Sequence, residues 1–287
     1  MSFGAAEMKA QAKPRIADLV GDGICDTHFH VFGPYDHFPL PAMASYAPNE
    51  APPDTYREMA GRLGITRMVV VQGGCYGSDN GAMLDAIRVL GAGRARGIAI
   101  VDGSETSAQL HRLDEGGVRG IRINAISDGG IDARVVRARA ATAADLGWHV
   151  LFHARPEQVV AHAALLRDLP VDVVIDHCGR IDPRLGEDQP AIRAMLDLLA
   201  SGRGWIKLIG YRCVSPGGDG REIRPLMRKL AAAAPERCLW GTDWPHPLMD
   251  AVPETANLLV EFNHTFDDET LRGQILRSNA GALYDFD

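Results

Sequence analysis

Two kinds of segment alternate along the whole chain, and few folds accommodate that order. Eight short runs are rich in β-branched and apolar residues, and most are bounded by Gly, Pro, Asp or Asn, as strands usually are. These predicted strands are Gly23–His28, Met68–Gln72, Ala95–Val101, Val118–Asn124, His149–His153, Val171–His177, Trp205–Ile209 and Cys238–Asp243. Each is followed by a predicted helix, and the helices are Pro53–Leu63, Asp79–Leu90, Ser104–Glu115, Asp132–Leu146, Pro156–Asp168, Gln189–Ala200, Gly220–Ala234 and Pro253–Phe262.

The repeated strand–helix order predicts an α/β fold, a single-domain (β/α)8 TIM barrel. The runs Val69–Val71 and Val171–Asp176 are almost continuously apolar, as parallel strands covered on both faces are. A doubly wound sheet is the alternative, but it usually carries a GxGxxG motif after its first strand, and that motif is absent here. We predict the barrel over residues 21–287, after an N-terminal extension at residues 1–20.

Local signals refine this prediction at helix starts and in one long loop. Pro156 and Pro253 suit the first turn of their helices, and Ser104 is a plausible N-cap. The segment from Val31 to Ala51 is longer than most connections between elements. Such a loop can fold over the mouth of a barrel as a functional lid.

Composition and charge exclude several classes of protein. Apolar residues make up 46% of the 287 and charged residues 23%, as in an ordinary globular protein. The net charge of −7 leaves no basic stripe, so a nucleic-acid partner is not expected. Five widely spaced cysteines without a CxxC pair indicate reduced thiols and a cytoplasmic protein. We expect neither export nor a membrane partner, and strand order does not decide the oligomeric state.

The predicted strands end in polar, chemically capable side chains. The first ends with His28 and His30, which are two residues apart and so face the same side, and the fifth ends at His153. The sixth ends at His177, and the eighth ends at Asp243. In barrel enzymes the carboxyl ends of the strands form the active site. Imidazoles with one carboxylate suit a divalent metal such as zinc, although histidines also occur at strand edges without any ligand.

Six blocks of sequence in order resemble the amidohydrolase superfamily, and within it the 2-pyrone-4,6-dicarboxylate lactonase-like branch of amidohydrolase 2. The resemblance covers nearly the whole chain after the first 20 residues. The blocks are CDTHFHVFGP, VVVQGGCYGSDN, GVRGIRIN, DLGWHVLFHARPE, VVIDHCGR and LWGTDWPHP.

This resemblance implies roles for the strand-end residues. In metal-dependent members, groups matching His28, His30, His153 and Asp243 bind one divalent ion, and the group matching His177 acts as acid/base or polarises a carbonyl. The pyrone lactonases work without metal, use the strand-eight aspartate as base, and carry a tyrosine in place of His153. That difference favours a metal ion here, and the donor set indicates zinc. The predicted fourth strand has no lysine, so we expect one ion rather than two.

The resemblance also implies how a substrate binds. Arg122 and Arg212 match two arginines that hold substrate carboxylates, and Tyr46 falls in the corresponding loop. A guanidinium can bind a carboxylate or sulfonate with two hydrogen bonds, although either arginine could instead be solvated or form a structural ion pair. His246 is expected to line the pocket, with the capping of a turn as the alternative.

Two departures from the family pattern argue against the pyrone dicarboxylate as the natural substrate. A third family arginine aligns with Asp128, and a small hydroxyl residue aligns with Gly74. One acidic group of that compound would therefore lack its partner.

We therefore expect a metal-assisted hydrolase that opens a small carboxylated or sulfonated lactone in aromatic or sugar-acid catabolism. Asp243 would take the proton of the attacking water and pass it to the leaving oxygen, while His177 steadies the oxyanion. One alternative is a metal-independent lactonase or lactone isomerase with Asp243 as base. A second is a decarboxylase of an aromatic or muconate acid, and a third is a non-catalytic binding module. No GxSxG motif supports a serine hydrolase.

Overall fold

The computed structural model describes residues 23–126, 130–213, 220–249 and 251–286. The predicted N-terminal extension at residues 1–20 and Asp128 therefore lie outside the described residues. All five cysteines lie inside them, and each is a buried free thiol. No helix in the described part of the chain is long and apolar enough to cross a membrane.

Eight parallel strands pair in chain order, which confirms the predicted barrel. Backbone hydrogen bonds between β1 and the segment after β8 close it, including His30 N to Trp244 O at 2.7 Å and Asp243 N to His28 O at 2.7 Å. The strands are β1 (Ile24–Phe29), β2 (Ile65–Val71), β3 (Ala95–Ala99), β4 (Val118–Asn124), β5 (His149–His153), β6 (Val173–Ile175), β7 (Gly204–Lys207) and β8 (Cys238–Leu239).

Helices follow the strands along the chain, as the alternation predicts. They are α1 (Pro53–Arg62), α2 (Gly81–Leu90), α3 (Ser107–Glu115), α4 (Ala133–Asp145), α5 (Pro156–Arg167), α6 (Pro190–Ala200), α7 (Arg224–Ala233), α8 (Thr255–Thr265), α9 (Glu269–Gly273) and α10 (Asn279–Tyr284). A π-helical turn, Gln274–Ser278, joins the last two.

Two predicted helix starts are wrong and one is confirmed. Pro156 does begin α5. The N-cap of α3 is Thr106 rather than Ser104, because Thr106 and Gln109 exchange hydrogen bonds in a capping box. Pro253 precedes Glu254, the N-cap of α8, so it lies outside the first turn.

The sixth and eighth strands are shorter than predicted, since they end at Ile175 and Leu239, and the chain turns further on, at the last residue of each predicted strand. His177 and Asp243 have φ values of 47° and 57°, in the left-handed region. A strand cannot continue through that region, so the chain turns at both residues. Both side chains therefore lie beyond the strand ends, on loops at the mouth of the barrel.

The barrel interior forms a core of its own, separate from the apolar layer between strands and helices. Strand residues such as Val71, Leu151 and Trp205 pack there with Tyr284 and Phe286 from the end of the described chain. The Arg96 guanidinium holds this last segment, since it donates to Tyr284 O at 3.1 Å and Asp285 O at 2.5 Å and lies over the Phe286 ring. Tyr284 and Phe286 thus form the floor of the barrel, opposite the mouth.

His149 lies at this floor, with its ring centroid 5.1 Å from that of Tyr284. Burial lowers the pKa of His149 to about 3. As pH falls below about 6.5, His149 therefore binds a proton in the unfolded chain but not in the folded chain, and the stability of the fold decreases. Between pH 8 and pH 5, the free energy of unfolding of the parent protein should fall by about 2 kcal/mol more than that of His149→Gln. Urea denaturation at the two pH values measures both decreases.

The matched control for this prediction is His111→Gln, on the exposed side of α3. That imidazole meets water in both the folded and the unfolded chain, so its replacement should leave the pH dependence of stability unchanged. An equal pH dependence in the His149→Gln variant and the parent would show that His149 is not the group responsible.

Candidate active site

The Asp243 carboxylate is the centre of a buried cluster at the mouth of the barrel. Its Oδ1 atom lies 3.2 Å from His30 Nε2 and 3.5 Å from His28 Nε2. Its Oδ2 atom accepts hydrogen bonds from Tyr211 OH at 2.5 Å and from Arg212 Nε at 2.6 Å. Burial alone would raise the pKa of Asp243, but the charge of Arg212 and the nearby imidazoles hold it well below its usual range. The two oxygens therefore face different partners, and the carboxylate is ionised at neutral pH.

The contacts of His30 leave two hydrogen-bond acceptors facing each other unless a further positive charge lies between them. His30 Nδ1 lies 2.7 Å from Val71 O, and a carbonyl oxygen only accepts, so Nδ1 carries the proton of the neutral ring. Nε2 then presents a lone pair to Asp243 Oδ1, which is also an acceptor. A proton or a metal cation between the two atoms would resolve this conflict.

The spacing of the three groups also fits a metal ion. Four ligands arranged tetrahedrally around zinc at about 2.0–2.1 Å lie about 3.3 Å from one another. His28 Nε2 and His30 Nε2 are 3.3 Å apart, and the distances to Asp243 given above are of the same size. His28 also forms a second possible metal group with Asp176 and His177. The residues present can therefore hold a divalent cation.

His153, the fourth predicted metal ligand, does not belong to either of these groups. Its Nδ1 atom lies 3.2 Å from Arg122 Nη2, a donor, so the proton of the neutral ring is on Nε2. That Nε2 atom is buried and has no hydrogen-bond partner among the described residues. Its place in a metal site stays a prediction, since this geometry also suits a donor to a bound substrate.

His177 lies beside His153, with their ring centroids 5.3 Å apart. Its Nε2 atom is 3.5 Å from Asp176 Oδ2, and its buried Nδ1 atom has no partner in the described part of the chain. Burial lowers the pKa of His177 to about 4, against the opposing charges of Asp176 and Asp243. The ring is therefore neutral at pH 7 and can give or accept one hydrogen bond.

Three arginine side chains lie around this cluster, and they differ in how many of their donors already have partners in the protein. Arg212 is an ion-pair partner of Asp243. Arg122 is buried and donates from Nη1 to Gln72 O at 2.7 Å, while its Nε has no partner among the described residues. Arg180, which the sequence analysis did not single out, is half-buried and forms no ion pair with any described residue. Burial and the nearby charge of Arg212 lower its pKa. Arg122 and Arg180 are thus the cations most available to an acidic ligand.

Tyr46 reaches the site from the long loop, whose ends pair through Phe32 and Ala51. Its ring packs edge-to-face against Phe32, and its hydroxyl lies 4.0 Å from the position that a Cβ atom on Gly74 would take. Burial raises the pKa of Tyr46 to about 12, so the phenol is neutral. The loop therefore covers part of the mouth on the β2 side, where the glycine leaves space.

His246 is buried, and both of its ring nitrogens already have protein partners. Nδ1 lies 3.1 Å from Tyr211 OH and Nε2 lies 2.9 Å from Thr255 Oγ1. The contact with substrate predicted for His246 stays a prediction. The structure instead brings the hydroxyl of Tyr211 into the site, and sequence analysis missed this residue.

Lys207 is a second residue that the sequence analysis missed. It is fully buried in the barrel, donates from Nζ to Thr27 O at 2.6 Å and lies 3.3 Å from His28 Nδ1. Burial lowers its pKa to about 8. A signal was present, because Lys207 lies two residues after inward-facing Trp205 and thus points into the barrel.

Comparisons with known proteins identify the family and several relatives of this chain. A protein-family model described as Amidohydrolase matches residues 25–286. A 2-pyrone-4,6-dicarboxylate hydrolase of Comamonas testosteroni is 35% identical over 282 residues, covering 91% of this chain and 90% of the relative. A 4-sulfomuconolactone hydrolase of Hydrogenophaga intermedia is 32% identical, covering 91% and 88% of the two chains. A D-galactarolactone isomerase of Agrobacterium fabrum is 29% identical, covering 91% of each.

Proposed function

The chain belongs to the amidohydrolase family of enzymes, and from this premise we propose that it hydrolyses the ring of a small lactone bearing a carboxylate or sulfonate. The observation that carries the proposal is the buried Asp243 carboxylate, which faces two imidazoles while Arg122 and Arg180 keep donors free nearby. Relatives named for acidic lactones of aromatic and sugar-acid catabolism support the same substrate class.

Binding of the substrate acid is assigned to the arginines. Arg122 Nε and the Arg180 guanidinium have no partners among the described residues, so an anion would supply the acceptors they lack. Arg212 keeps its Nε on Asp243 and can direct its terminal nitrogens to the same ligand. A charged group held this way fixes the lactone carbonyl relative to Asp243, which makes the attack nearly intramolecular.

Proton transfer is assigned to Asp243. Its Oδ2 atom is occupied by Tyr211 and Arg212, so Oδ1 is the oxygen left to accept a proton from the attacking water and return it to the leaving oxygen. His153 Nε2 carries the proton of its ring and is buried without a partner in the described residues, so it can donate to the carbonyl oxygen as negative charge develops. His177 Nδ1, which is also without a described partner, would do so in the tautomer that has its proton on Nδ1.

A divalent ion, zinc by its donor set, would supply Lewis acidity at this site when held by His28, His30 and Asp243. His153 is the predicted fourth ligand, and in that arrangement its Nε2 atom would face the ion instead of donating to the carbonyl. The second candidate is a lactone isomerase, favoured by the relative of that name. In that reaction Asp243 Oδ1 would remove a proton from the substrate rather than from water.

A panel of lactones tests the proposal. We expect carboxylated or sulfonated lactones, 4-sulfomuconolactone among them, to give open-chain acids detected by NMR, and 2-pyrone-4,6-dicarboxylate to react more slowly. Neutral methyl esters of the same lactones should react with a kcat/KM about 10- to 100-fold lower, since a charged hydrogen bond contributes about 1.5–3 kcal/mol. Arg180→Met should raise KM for the acids and leave the esters unaffected. A rearranged ring as product would favour the isomerase, and carbon dioxide release would favour a decarboxylase.

A further inference from the structure

Four side chains form a continuous line of hydrogen bonds from helix α8 to the Asp243 carboxylate. Thr255 Oγ1 lies 2.9 Å from His246 Nε2, and His246 Nδ1 lies 3.1 Å from Tyr211 OH. Tyr211 OH lies 2.5 Å from Asp243 Oδ2. Thr255, His246 and Asp243 are buried, and Tyr211 between them is half-buried.

The chemistry of these groups sets the direction of every bond in the line. Oδ2 of Asp243 already accepts from Arg212 Nε and is therefore an acceptor, so Tyr211 donates its hydroxyl proton to it. The Tyr211 oxygen then accepts from Nδ1–H of His246, whose remaining nitrogen accepts from the Thr255 hydroxyl. All three donors therefore point toward the carboxylate, and hydrogen bonds aligned in this way strengthen one another.

We infer that Tyr211 is a positioning residue that, held by His246 and Thr255, fixes the Asp243 carboxylate so that Oδ1 faces His28 and His30. Arg212 provides the other bond to Oδ2. One donor alone leaves a carboxylate free to turn about its Cβ–Cγ bond, whereas two donors from different directions define its plane. The inference rests on the proposed function, in which Oδ1 exchanges the proton of the reaction.

Removal of the tyrosine hydroxyl tests the inference directly. We expect Tyr211→Phe to lower kcat by about 10- to 100-fold, as loss of a group supporting an active-site residue does, with KM changed less than about 3-fold. Thr255→Val should lower kcat less. The double variant should be no slower than Tyr211→Phe alone, because both changes act through one line of bonds. A raised KM with unchanged kcat, or strictly multiplicative losses, would overturn the inference.

The matched control is Thr265→Val, the same substitution in the same helix. The Thr265 hydroxyl is buried and donates to Glu261 O at 2.8 Å, away from the site. This variant should lose a similar amount of thermal stability to Thr255→Val while keeping full kcat. A merely structural role for Thr255 predicts instead that both variants behave alike.

Two substitutions of His246 test the roles of its two ring nitrogens separately. An asparagine amide can replace Nδ1 as the donor to Tyr211, whereas a glutamine amide extends to the position of Nε2 near Thr255. We expect His246→Asn to retain more of kcat than His246→Gln, with kcat counted per folded molecule by thermal denaturation, because the left-handed φ of 63° at this position itself favours asparagine. Equal activity of the two variants would contradict the role given to the Nδ1–H bond.

Crystal structures make this inference independent of the substrate. In Tyr211→Phe the Asp243 carboxylate should turn, so that Oδ1 moves away from the 3.2 Å distance to His30 Nε2, while Thr265→Val should keep that distance. If the parent protein opened no lactone, the proposed function would fail, and the carboxylate orientation would still decide the inference. An unchanged carboxylate in Tyr211→Phe would overturn it.

Discussion

Asp243→Asn is expected to lower kcat/KM by at least about 1,000-fold while the barrel remains folded, since a positioned proton-transfer group contributes about 100- to 10,000-fold. Asparagine has the shape of aspartate and tolerates the left-handed backbone at this position, where φ is 57°. Its amide oxygen can still accept from Tyr211 and Arg212, and its NH2 group can face the lone pair of His30. The substitution therefore keeps the shape of the side chain and removes the negative charge, the proton acceptor and one predicted metal ligand.

The measurement is steady-state kinetics on the lactone that the parent protein opens fastest, together with a thermal denaturation curve. Asp114→Asn is the matched control, because that carboxylate accepts from Trp148 Nε1 at 2.9 Å far from the mouth. Its kinetics should match the parent. If Asp243→Asn kept a tenth of the parent rate, Asp243 would not be the proton-transfer group.

The protein prepared without chelator is expected to contain about one divalent ion per chain, and His30→Ala is expected to lose nearly all of it. The reason is the close approach of His30 Nε2 to Asp243 Oδ1, two acceptors that a cation would hold together. Elemental analysis for zinc, manganese and iron measures the content. His264→Ala removes an exposed histidine from α8 and should leave the metal content unchanged.

The same measurement on His153→Ala decides the fourth predicted ligand. Loss of the ion would place His153 in the metal site. Retention of the ion with a reduced kcat would make Nε2 of His153 a donor to the substrate instead. A parent protein that is folded and free of metal would contradict the metal prediction and leave Asp243 as the base of a metal-independent lactonase or isomerase.

The fold and the family were predictable from the sequence because both depend on patterns that are local. The residue pattern that indicates each strand or helix lies within about ten residues, and the order of the elements allows few topologies. His28 and His30 were identified for the same reason, since residues two apart on a strand share a face. The structure does bring these two histidines together with Asp243.

The partners of Asp243 were not predictable, because they depend on how loops fold beyond the strands. Tyr211 and Arg212 lie in a short 3-10 segment after β7, and the side chain of Arg212 turns toward a protein carboxylate rather than standing free. Arg180 ends another such segment, in which Cys178 and Gly179 have left-handed conformations. No periodic pattern encodes where such turns direct a side chain.

The Tyr284–Phe286 floor has a consequence for the order in which this molecule can be built. These residues follow all eight strands along the chain, yet they pack inside the ring that the strands form. During synthesis on a ribosome, the eighth strand can therefore emerge and pair while water still enters the barrel from below. The interior is shielded from water at this end only once Tyr284 and Phe286 have packed beneath the strands.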